Sequence, residues 1–481
     1  MIKRIILYLL LLIFLLLFLR VSFLSGIDAD ELEHTHVSWL LNNDVLPYKD
    51  IHQIHLPLLW IISSVFLKIL PENSSALLFF RAFTLLFFFL TVWVGGKILK
   101  EILRNQKYEY LLSYYLLMII LTLTTEFYKF RPDPFMSFFA IAGIFFLLQS
   151  KSVRFFCFLS GLFFGISLSF SVKMFPLLFL FPLVNYRRVK KGRFVDFIKF
   201  NIIHYLGLIL GILPFLLWLF YKGIFNDFYS WVIVNNLRMS GAFFTGIKYI
   251  IEFFLLTFLL SFLYRKYFFD YEKIFIVSTA FLLSFLIRIF DPNHLAYNWQ
   301  MFVILMGCVF LFLLSEIKGK YFGVILIVII AVLINIPDTI KAVGLKTGGW
   351  TVPPRGIDVL VSWKGDRREE CVGFLPYHPV FCKDSTQLYL LWDYFFILKD
   401  WVSPGGKRVY EEMWHKAIRE IVLKKPKIIV APRFFKLAYE NRILRRSEFN
   451  LFYNFTEKNY EKRFLGKIMV FVRREQEERN D

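Results

Sequence analysis

Long apolar stretches separated by short polar connections fill the first 337 residues of the chain. A helix needs about 20 mostly apolar residues to cross ~30 Å of hydrocarbon, and about eleven stretches meet that pattern. The pattern therefore predicts a polytopic α-helical membrane protein. The predicted spans are Ile5–Leu24, Leu77–Leu99, Tyr110–Thr125, Pro134–Gln149, Phe155–Val172, Pro176–Val184, Ile202–Phe220, Tyr249–Leu263, Ile274–Phe290, Met301–Ser315 and Tyr321–Ile336. Pro176–Val184 is shorter than the others, and a re-entrant segment is the alternative there.

Basic residues gather in alternate connections, which is the positive-inside pattern of a cytoplasmic side. The first apolar run is too long for a secretory signal and no small-residue cleavage site follows it, so it is interpreted as the first span. We expect a multi-pass protein of the cell (inner) membrane, with a cytoplasmic N-terminus and, for an odd number of spans, an extracytoplasmic C-terminal part. The predicted cytoplasmic clusters include Lys97/Lys100, Lys151/Arg154, Arg187/Arg188, Arg265/Lys266 and Lys318/Lys320.

Residues 338–481 differ from the preceding part, because apolar runs there are short and charge is dense. Helical periodicity over Tyr410–Lys424 and Phe434–Ile443, with strand patterns between, predicts a small extracytoplasmic α/β domain. The predicted strands are Cys371–Leu375, Lys427–Ala431 and Lys467–Val472. With no catalytic motif visible in it, this domain is interpreted as a cap over the acceptor entrance.

Two cysteines of this domain, Cys371 and Cys382, flank a turn-like stretch with two prolines. A disulfide could persist outside the cell. A metal pair is disfavoured because no second Cys/His pair at zinc spacing accompanies it. The sequence leaves open whether the bond forms.

The composition is 57% hydrophobic with 60 Phe, and the chain carries 57 basic against 37 acidic side chains, a net charge of +20. This excess base could suggest nucleic acid, but no basic stripe or nucleic-acid-reading module is visible. Membrane topology and anionic lipid headgroups account for the excess, so membrane lipids are expected partners and nucleic acid is not.

The first outer connection, residues 25–75, is far longer than a turn and is rich in ionisable groups. The pattern predicts an interfacial helix over Asp30–Leu41, which places Asp30, Glu33 and His34 on one face. A solvated acidic loop is the plainer interpretation. Ionisable groups at membrane depth usually mark a functional site, however, and further polar residues follow in the connection: Tyr48, Asp50, His52 and His55.

Other polar groups are predicted on the same side of the membrane. Arg131 and Asp133 lie at a corner where Pro132 and Pro134 break the helix. Single basic residues at span ends often only snorkel to the interface, and an Arg–Asp pair can be purely structural. The remaining candidates are Lys173 after the fifth span, Arg238, and Arg288, His294 and Tyr297 in the connection after the ninth.

The chemistry of these groups is complementary. Carboxylates suit a general base or a divalent metal ion, and Arg and Lys suit a phosphate. Because these groups are predicted at one membrane face, together they suit a reaction in which a lipid phosphate is the leaving group.

These residues also resemble a known family. The pair Asp30-Glu31 after the first span, followed by His34, Pro47-Tyr48-x-Asp50 and His55-x-Pro57, is similar to the first outer loop of the GT-C glycosyltransferases. That group includes the protein O-mannosyltransferases and the lipid A aminoarabinose transferase. The Arg131-Pro-Asp133 corner recurs there, and Lys173 lies where related enzymes often have a Lys. The layout matches over about residues 1–340.

The resemblance implies a GT-C-like fold and inverting transfer of a sugar from a polyprenyl-phosphate donor to a lipid, glycan or protein acceptor. It implies Asp30 as general base, with Glu31 and Asp133 orienting the acceptor or holding a divalent metal ion if one is used. Asp30, Asp133 and His34 are the metal candidates. The other expected roles are donor-phosphate binding by Arg131, Lys173 and Arg288, and substrate binding by Glu33, His34, Tyr48, Asp50, His55, His294 and Tyr297.

Two other functions fit a polytopic chain with buried charges. A secondary transporter or lipid flippase would use the same groups without breaking a bond. Against it, the candidates lie at one face and no paired halves with matching broken helices are visible. A non-catalytic assembly scaffold would not need Asp30 or Asp133.

Overall fold

The structure is a computed structural model. It describes residues 2–51, 53, 55–103, 108–150, 154–188, 194–235, 272–285, 300–316, 351–352, 370–373, 380–384, 415–432, 447–465 and 468–474. Among these residues, helices dominate up to residue 316 and strands appear mainly after residue 350.

Helices α1 to α12 occupy the first part of the chain. Pro176 lies inside a 3-10 helix, Val172–Phe179, that precedes α8, and a π-helical turn, Tyr229–Asn235, follows α10. The bounds are α1 Ile2–Leu24, α2 Ala29–Leu41, α3 Leu58–Leu67, α4 Ser74–Ile102, α5 Tyr108–Thr124, α6 Pro132–Gln149, α7 Arg154–Phe170, α8 Leu180–Arg188, α9 Phe194–Tyr221, α10 Phe225–Phe228, α11 Glu272–Phe285 and α12 Gln300–Glu316.

Four helices of the described chain are long and apolar enough to cross a membrane: Arg4–Leu24, Ser74–Ile102, Pro132–Gln149 and Phe194–Tyr221. The predicted span Pro176–Val184 is divided between the 3-10 helix and α8, because a proline within a helix removes a backbone donor. Tyr249–Leu263 and Tyr321–Ile336 lie outside the described residues. The total of about eleven spans therefore stays a prediction.

Glycines hold α7 and α9 in close contact. Gly161 and Gly165 face Gly207 and Gly211, and a Cβ added at Gly165 would lie 2.2 Å from the carbonyl oxygen of Leu208. Small residues four apart let two helix backbones approach closely in this way. The crossing fixes the position of the chain that leads from α7 to Lys173.

We expect Gly165→Leu to destabilise the protein by more than about 3 kcal/mol, because core overpacking already costs about 1–3 kcal/mol where side chains alone must move, and here backbone stands in the way. The buried thiols Cys157 and Cys308 allow unfolding to be followed with a thiol-reactive dye. Gly223→Asn is the matched control, since that position has open space and a φ of +66° that Asn tolerates. An unchanged unfolding midpoint in Gly165→Leu would contradict the packing.

Ion pairs join several of the predicted cytoplasmic connections. Arg4 lies 2.9 Å from Glu109, and Arg188 lies 2.7 Å from Glu272. Lys273 pairs with Glu101 at 2.5 Å. These helix ends therefore meet at one end of the bundle, which is consistent with a shared side for the basic clusters.

The C-terminal part contains a five-stranded mixed sheet with the order β4-β3-β5-β7-β6. Strand β3 pairs in parallel with β4 and β5, whereas β7 pairs antiparallel with β5 and β6. The predicted strands correspond to β3, β5 and β7, and Phe434–Ile443 lies outside the described residues. The bounds are β3 Glu370–Gly373, β4 Lys383–Asp384, β5 Ile428–Pro432, β6 Tyr460–Leu465 and β7 Ile468–Arg473, with helices at 415–424 and Ser447–Asn459.

A disulfide joins Cys371 to Cys382, with 6.2 Å between their Cα atoms. Cys371 lies in β3, and Cys382 lies just before β4. The structure thus contains the disulfide that the sequence left open.

The C-terminal part lies against the connection that follows α1. Strand β1 (Ile27–Asp28) pairs antiparallel with β2 (Thr351–Val352). The Nδ1 of His36 in α2 lies 2.7 Å from the carbonyl oxygen of Val380, which can only accept, so Nδ1 carries the proton. An apolar cluster completes the contact: Ile27, Leu32, Leu77, Val380, Val430 and Val470.

Candidate functional site

The site begins at the N-terminus of α2, where the sequence supplies its own cap. Asp28 is in extended conformation, and its Oδ1 accepts a hydrogen bond from the backbone N–H of Glu31 at 3.0 Å. The Glu31 carboxylate accepts one in return from the N–H of Asp28 at 3.1 Å. This capping box starts the helix at Ala29 and fixes the direction of the three acidic side chains that follow it.

A fully buried ion pair anchors α2 to α4. The Arg81 guanidinium donates to both oxygens of Glu31, at 2.7 and 2.6 Å, and also to backbone carbonyls at the end of α1. The N–H of Phe130 donates to Glu31 at 3.2 Å. The oxygens of Glu31 are therefore occupied within the fold. The geometry favours a positioning role for Glu31 over contact with an acceptor or a metal ion.

Sequence reasoning missed Arg81. Its signal was present, since Arg81 lies inside the apolar span Leu77–Leu99, whereas the other base of that span, Lys97, lies near its end. A base inside a span needs an acidic partner.

Asp28 joins α2 to the corner between α5 and α6. Its Oδ2 lies 3.1 Å from Nζ of Lys129 and also binds Nη2 of Arg131. Burial opposes ionisation of Asp28, but Arg131 and Lys129 outweigh it and lower its pKa below the ordinary value. Burial likewise opposes the charge on Lys129, but Asp28 and Glu126 raise its pKa. Asp28 therefore remains a carboxylate beside two cations.

Asp30, two residues after Asp28, is the more accessible carboxylate. Its Oδ2 is 3.2 Å from Nε of Arg131, and its side chain is 32% exposed against 6% for Asp28. Desolvation raises the pKa of Asp30, although the Arg131 guanidinium opposes the shift. Asp30 is therefore an accessible carboxylate with enhanced basicity.

Asp133 and Lys173 form a second pair, 3.0 Å apart, although 40 residues separate them. Asp133 lies in the first turn of α6, which Pro132 begins. The Ser171 side chain caps the 3-10 helix by accepting a hydrogen bond from the backbone N–H of Lys173, and this bond positions Lys173. Arg131, which contacts Asp30, is only two residues from Asp133 at the start of α6, so this pair and the Arg131 contacts belong to one site. The charge of Asp133 also raises the pKa of Asp30.

His34 and His55 meet beside these pairs, with their ring centroids 5.1 Å apart. Trp60 donates from Nε1 to Nδ1 of His34 at 2.9 Å. Because an indole N–H is only a donor, Nδ1 of His34 lacks a proton. Burial lowers the pKa of His34 well below its ordinary value and, with Lys173, lowers the pKa of His55 to about 4. Both rings are neutral at pH 7.

We expect His55 to make the protein less stable in mild acid. Its pKa is lower in the folded chain than in the unfolded chain, so the unfolded chain binds more protons below about pH 6.5. The free energy of unfolding should fall as the pH drops from about 6.5 to 4, by up to about 3 kcal/mol from this group. The slope should flatten in His55→Gln, measured by tryptophan fluorescence at several pH values, whereas equal slopes in both proteins would refute the assignment.

Three of the predicted substrate-binding residues are engaged with the fold. The hydroxyl of Tyr48 donates to the carbonyl of His55 at 2.6 Å, and Asp50 accepts from the N–H of Leu46 at 2.7 Å. They therefore shape the loop that carries His55. Glu33 is buried against Gln53, and burial together with the charge of Asp30 raises its pKa well above the ordinary value. The predicted residues Arg288, His294, Tyr297, Arg238 and His52 lie outside the described residues.

The metal candidates do not converge on a metal site. No group of three His, Cys, Asp or Glu side chains within the described ranges has an arrangement that could hold a metal ion. Asp30 is paired with Arg131 and Asp133 with Lys173, and a divalent ion would have to displace these cations.

Comparison with solved proteins shows the fold. No protein-family model matches the chain, and neither does any curated protein. ArnT from Cupriavidus metallidurans bound to undecaprenyl phosphate matches over 97% of both chains, with 10% sequence identity and a TM-score of 0.58. Its apo state matches over 98% of both chains with the same identity and score. The apo oligosaccharyltransferase of Archaeoglobus fulgidus matches over 98% of this chain and 75% of its own, with 10% identity and a TM-score of 0.46.

The likeness to ArnT confirms the expected GT-C-like fold, in a mostly helical chain with apolar helices long enough to span a membrane.

Proposed function

We propose that the protein is a membrane glycosyltransferase that transfers a sugar from a polyprenyl-phosphate donor to a cell-envelope acceptor. One observation carries the proposal. In the fold of ArnT, an accessible carboxylate of the first loop, Asp30, lies beside the Arg131 guanidinium, with the Asp133–Lys173 pair in the same site. This arrangement combines a base with cations for a phosphate.

Arg131 and Lys173 bind the donor phosphate, with Arg288 as a third candidate from the sequence. A guanidinium and an ammonium stabilise the charge that develops on the phosphate as the sugar leaves. The structure of ArnT with undecaprenyl phosphate supports a lipid phosphate as the donor's leaving group.

Asp30 is the general base. An acceptor hydroxyl attacks the anomeric carbon from the face opposite the phosphate, and its proton passes to Asp30. The bond between the anomeric carbon and the phosphate oxygen breaks, and its electron pair stays on the phosphate. The configuration at the anomeric carbon is therefore inverted.

Neutral His34 and His55 offer hydrogen bonds without charge, so they suit the hydroxyl groups of the sugar better than its phosphate. Asp133 orients the acceptor. Its ion pair with Lys173 also holds the Lys173 ammonium in place. Glu33 lies one turn beyond Asp30, and its partner Gln53 belongs to the loop that leads to His55. Glu31, Tyr48 and Asp50 hold this arrangement in place, with His294 and Tyr297 as further candidates from the sequence.

The site faces outward in the inner membrane, and residues 338–481 form an extracytoplasmic cap. The contact between His36 and Val380 supports a cap seated on the helix that carries Asp30. The ion pairs among predicted cytoplasmic connections support the opposite end as the cytoplasmic one.

The test is incubation of the purified protein with a radiolabelled polyprenyl-phosphate sugar and membrane lipids, envelope glycans or proteins as acceptors. Label recovered on an acceptor supports the enzyme. Intact donor moved across a vesicle membrane without cleavage would indicate a flippase, and neither outcome would indicate a scaffold.

A further inference from the structure

Three cations of the candidate site, Lys129, Arg131 and Lys173, are referred to as the cation cluster, and all three are already paired with carboxylates. Lys129 contacts Asp28 and Glu126, Arg131 contacts Asp28, Asp30 and Glu126, and Lys173 contacts Asp133. An incoming phosphate therefore meets no cation in this cluster that lacks a carboxylate. A phosphate that binds one of these cations therefore competes with a carboxylate for it.

The three carboxylates on Arg131 are not equally easy to replace. Asp28 is buried, caps α2 and also holds Lys129. Glu126 lies 2.6 Å from Lys129 but 3.6 Å from Arg131, so its main partner is Lys129. Asp30 is a third exposed, and Arg131, at 3.2 Å, is its ion-pair partner among the described residues. Asp30 is thus the carboxylate that leaves with least disturbance.

We propose that the donor phosphate replaces Asp30 on Arg131, so that donor binding releases the carboxylate that serves as base. This inference rests on the proposed function and adds an order to it. Before the donor binds, Arg131 holds Asp30 and the base is masked. After the donor binds, Asp30 is free to take the acceptor proton, so the donor binds first and activates its own transfer.

The charges around Asp30 support this order. Asp28, Asp133 and Glu33 are its acidic neighbours, and Arg131 and Lys129 are the cations that act on it. Lys129 is shared with Asp28 and Glu126. Once a phosphate occupies Arg131, the surroundings of Asp30 are mainly acidic, which raises its affinity for a proton.

The test is binding of undecaprenyl phosphate to the full chain in detergent or nanodiscs. Removing the competing carboxylate with Asp30→Asn should tighten binding about two- to fivefold, the range for a partly exposed ion pair. Asp30→Ala should behave alike. Glu126→Gln is the matched control, because it removes one negative charge from a side chain that is equally exposed, yet its main partner is Lys129; it should change binding less.

If Asp30→Asn and Glu126→Gln tightened lipid binding equally, net charge alone would explain the effect. That result would overturn the proposed replacement of Asp30 by the phosphate. Weaker binding in Asp30→Asn would also overturn it, since Asp30 would then help to hold the lipid. Either result could accompany normal sugar transfer by the wild type, which leaves the proposed function intact. Absence of both lipid binding and transfer in the wild type would reject the proposed function itself.

Chemical labelling gives a second readout. Carbodiimides react with protonated, accessible carboxyl groups, so labelling of Asp30, located by peptide mass spectrometry, should rise when undecaprenyl phosphate binds. Undecaprenol, which lacks the phosphate, should leave labelling unchanged. A fall in Asp30 labelling with the phosphate would contradict the release of the carboxylate.

Discussion

Asp30→Asn is expected to lower the rate of sugar transfer by about 10²–10⁴-fold, the usual contribution of a general base. An amide keeps the size of the side chain but cannot accept the acceptor proton. The fold should survive, because the oxygens that cap and anchor α2 belong to Asp28 and Glu31. The measurement is the initial rate of transfer from a radiolabelled polyprenyl-phosphate sugar, together with the thiol-dye unfolding midpoint.

Asp44→Asn provides the control. Asp44 is an exposed carboxylate in the same connection between α1 and α4, and its positive φ of 57° is one that Asn also adopts. The two variants lose the same charge, so the control removes the effect of net charge from the comparison. Full activity in Asp30→Asn, or equal losses in both variants, would remove Asp30 from the mechanism.

Arg81→Leu is expected to destabilise the protein by about 3–5 kcal/mol. Arg81 and Glu31 are both buried, and removing one partner leaves the other as an uncompensated buried charge. The double variant Arg81→Leu/Glu31→Leu should recover part of this loss, because it removes the stranded carboxylate as well. The thiol-dye midpoint measures both variants.

Arg463→Leu is the matched control, because Arg463 also pairs with a glutamate, Glu461, but both side chains are more than half exposed. Exposed pairs contribute little to stability, so this variant should unfold like the wild type. If Arg81→Leu unfolded at the same midpoint as Arg463→Leu, the anchor would not be needed to hold α2.

The helix that carries Asp30 could be predicted from the sequence because its signals are local. Periodicity predicted Asp30–Leu41, and the structure has Ala29–Leu41. The start lies where a capping residue, Asp28, precedes a glutamate by three positions, which is the sequence signature of a capping box. The strands β3, β5 and β7 were predicted for a similar reason, since each is a short apolar run between turns.

Pairings between distant segments could not be predicted in this way. Asp133 and Lys173 are 40 residues apart, and their contact forms only when α6 and the 3-10 helix after α7 come together in the fold. Tyr48 and Asp50 show a related limit. The same polar residue types bind ligands and stabilise loops, so the sequence alone does not distinguish the two roles. The hydrogen bonds of Tyr48 and Asp50 in the structure do distinguish them.

The most direct measurement of the central claim is the lipid product. Purified protein is incubated with a polyprenyl-phosphate sugar and an acceptor, and free polyprenyl phosphate is quantified with the glycosylated acceptor. We expect the wild type to release one polyprenyl phosphate for each sugar transferred, and Asp30→Asn to release almost none. Donor that stays intact in the presence of wild-type protein and acceptor, or equal release by both proteins, would contradict the account.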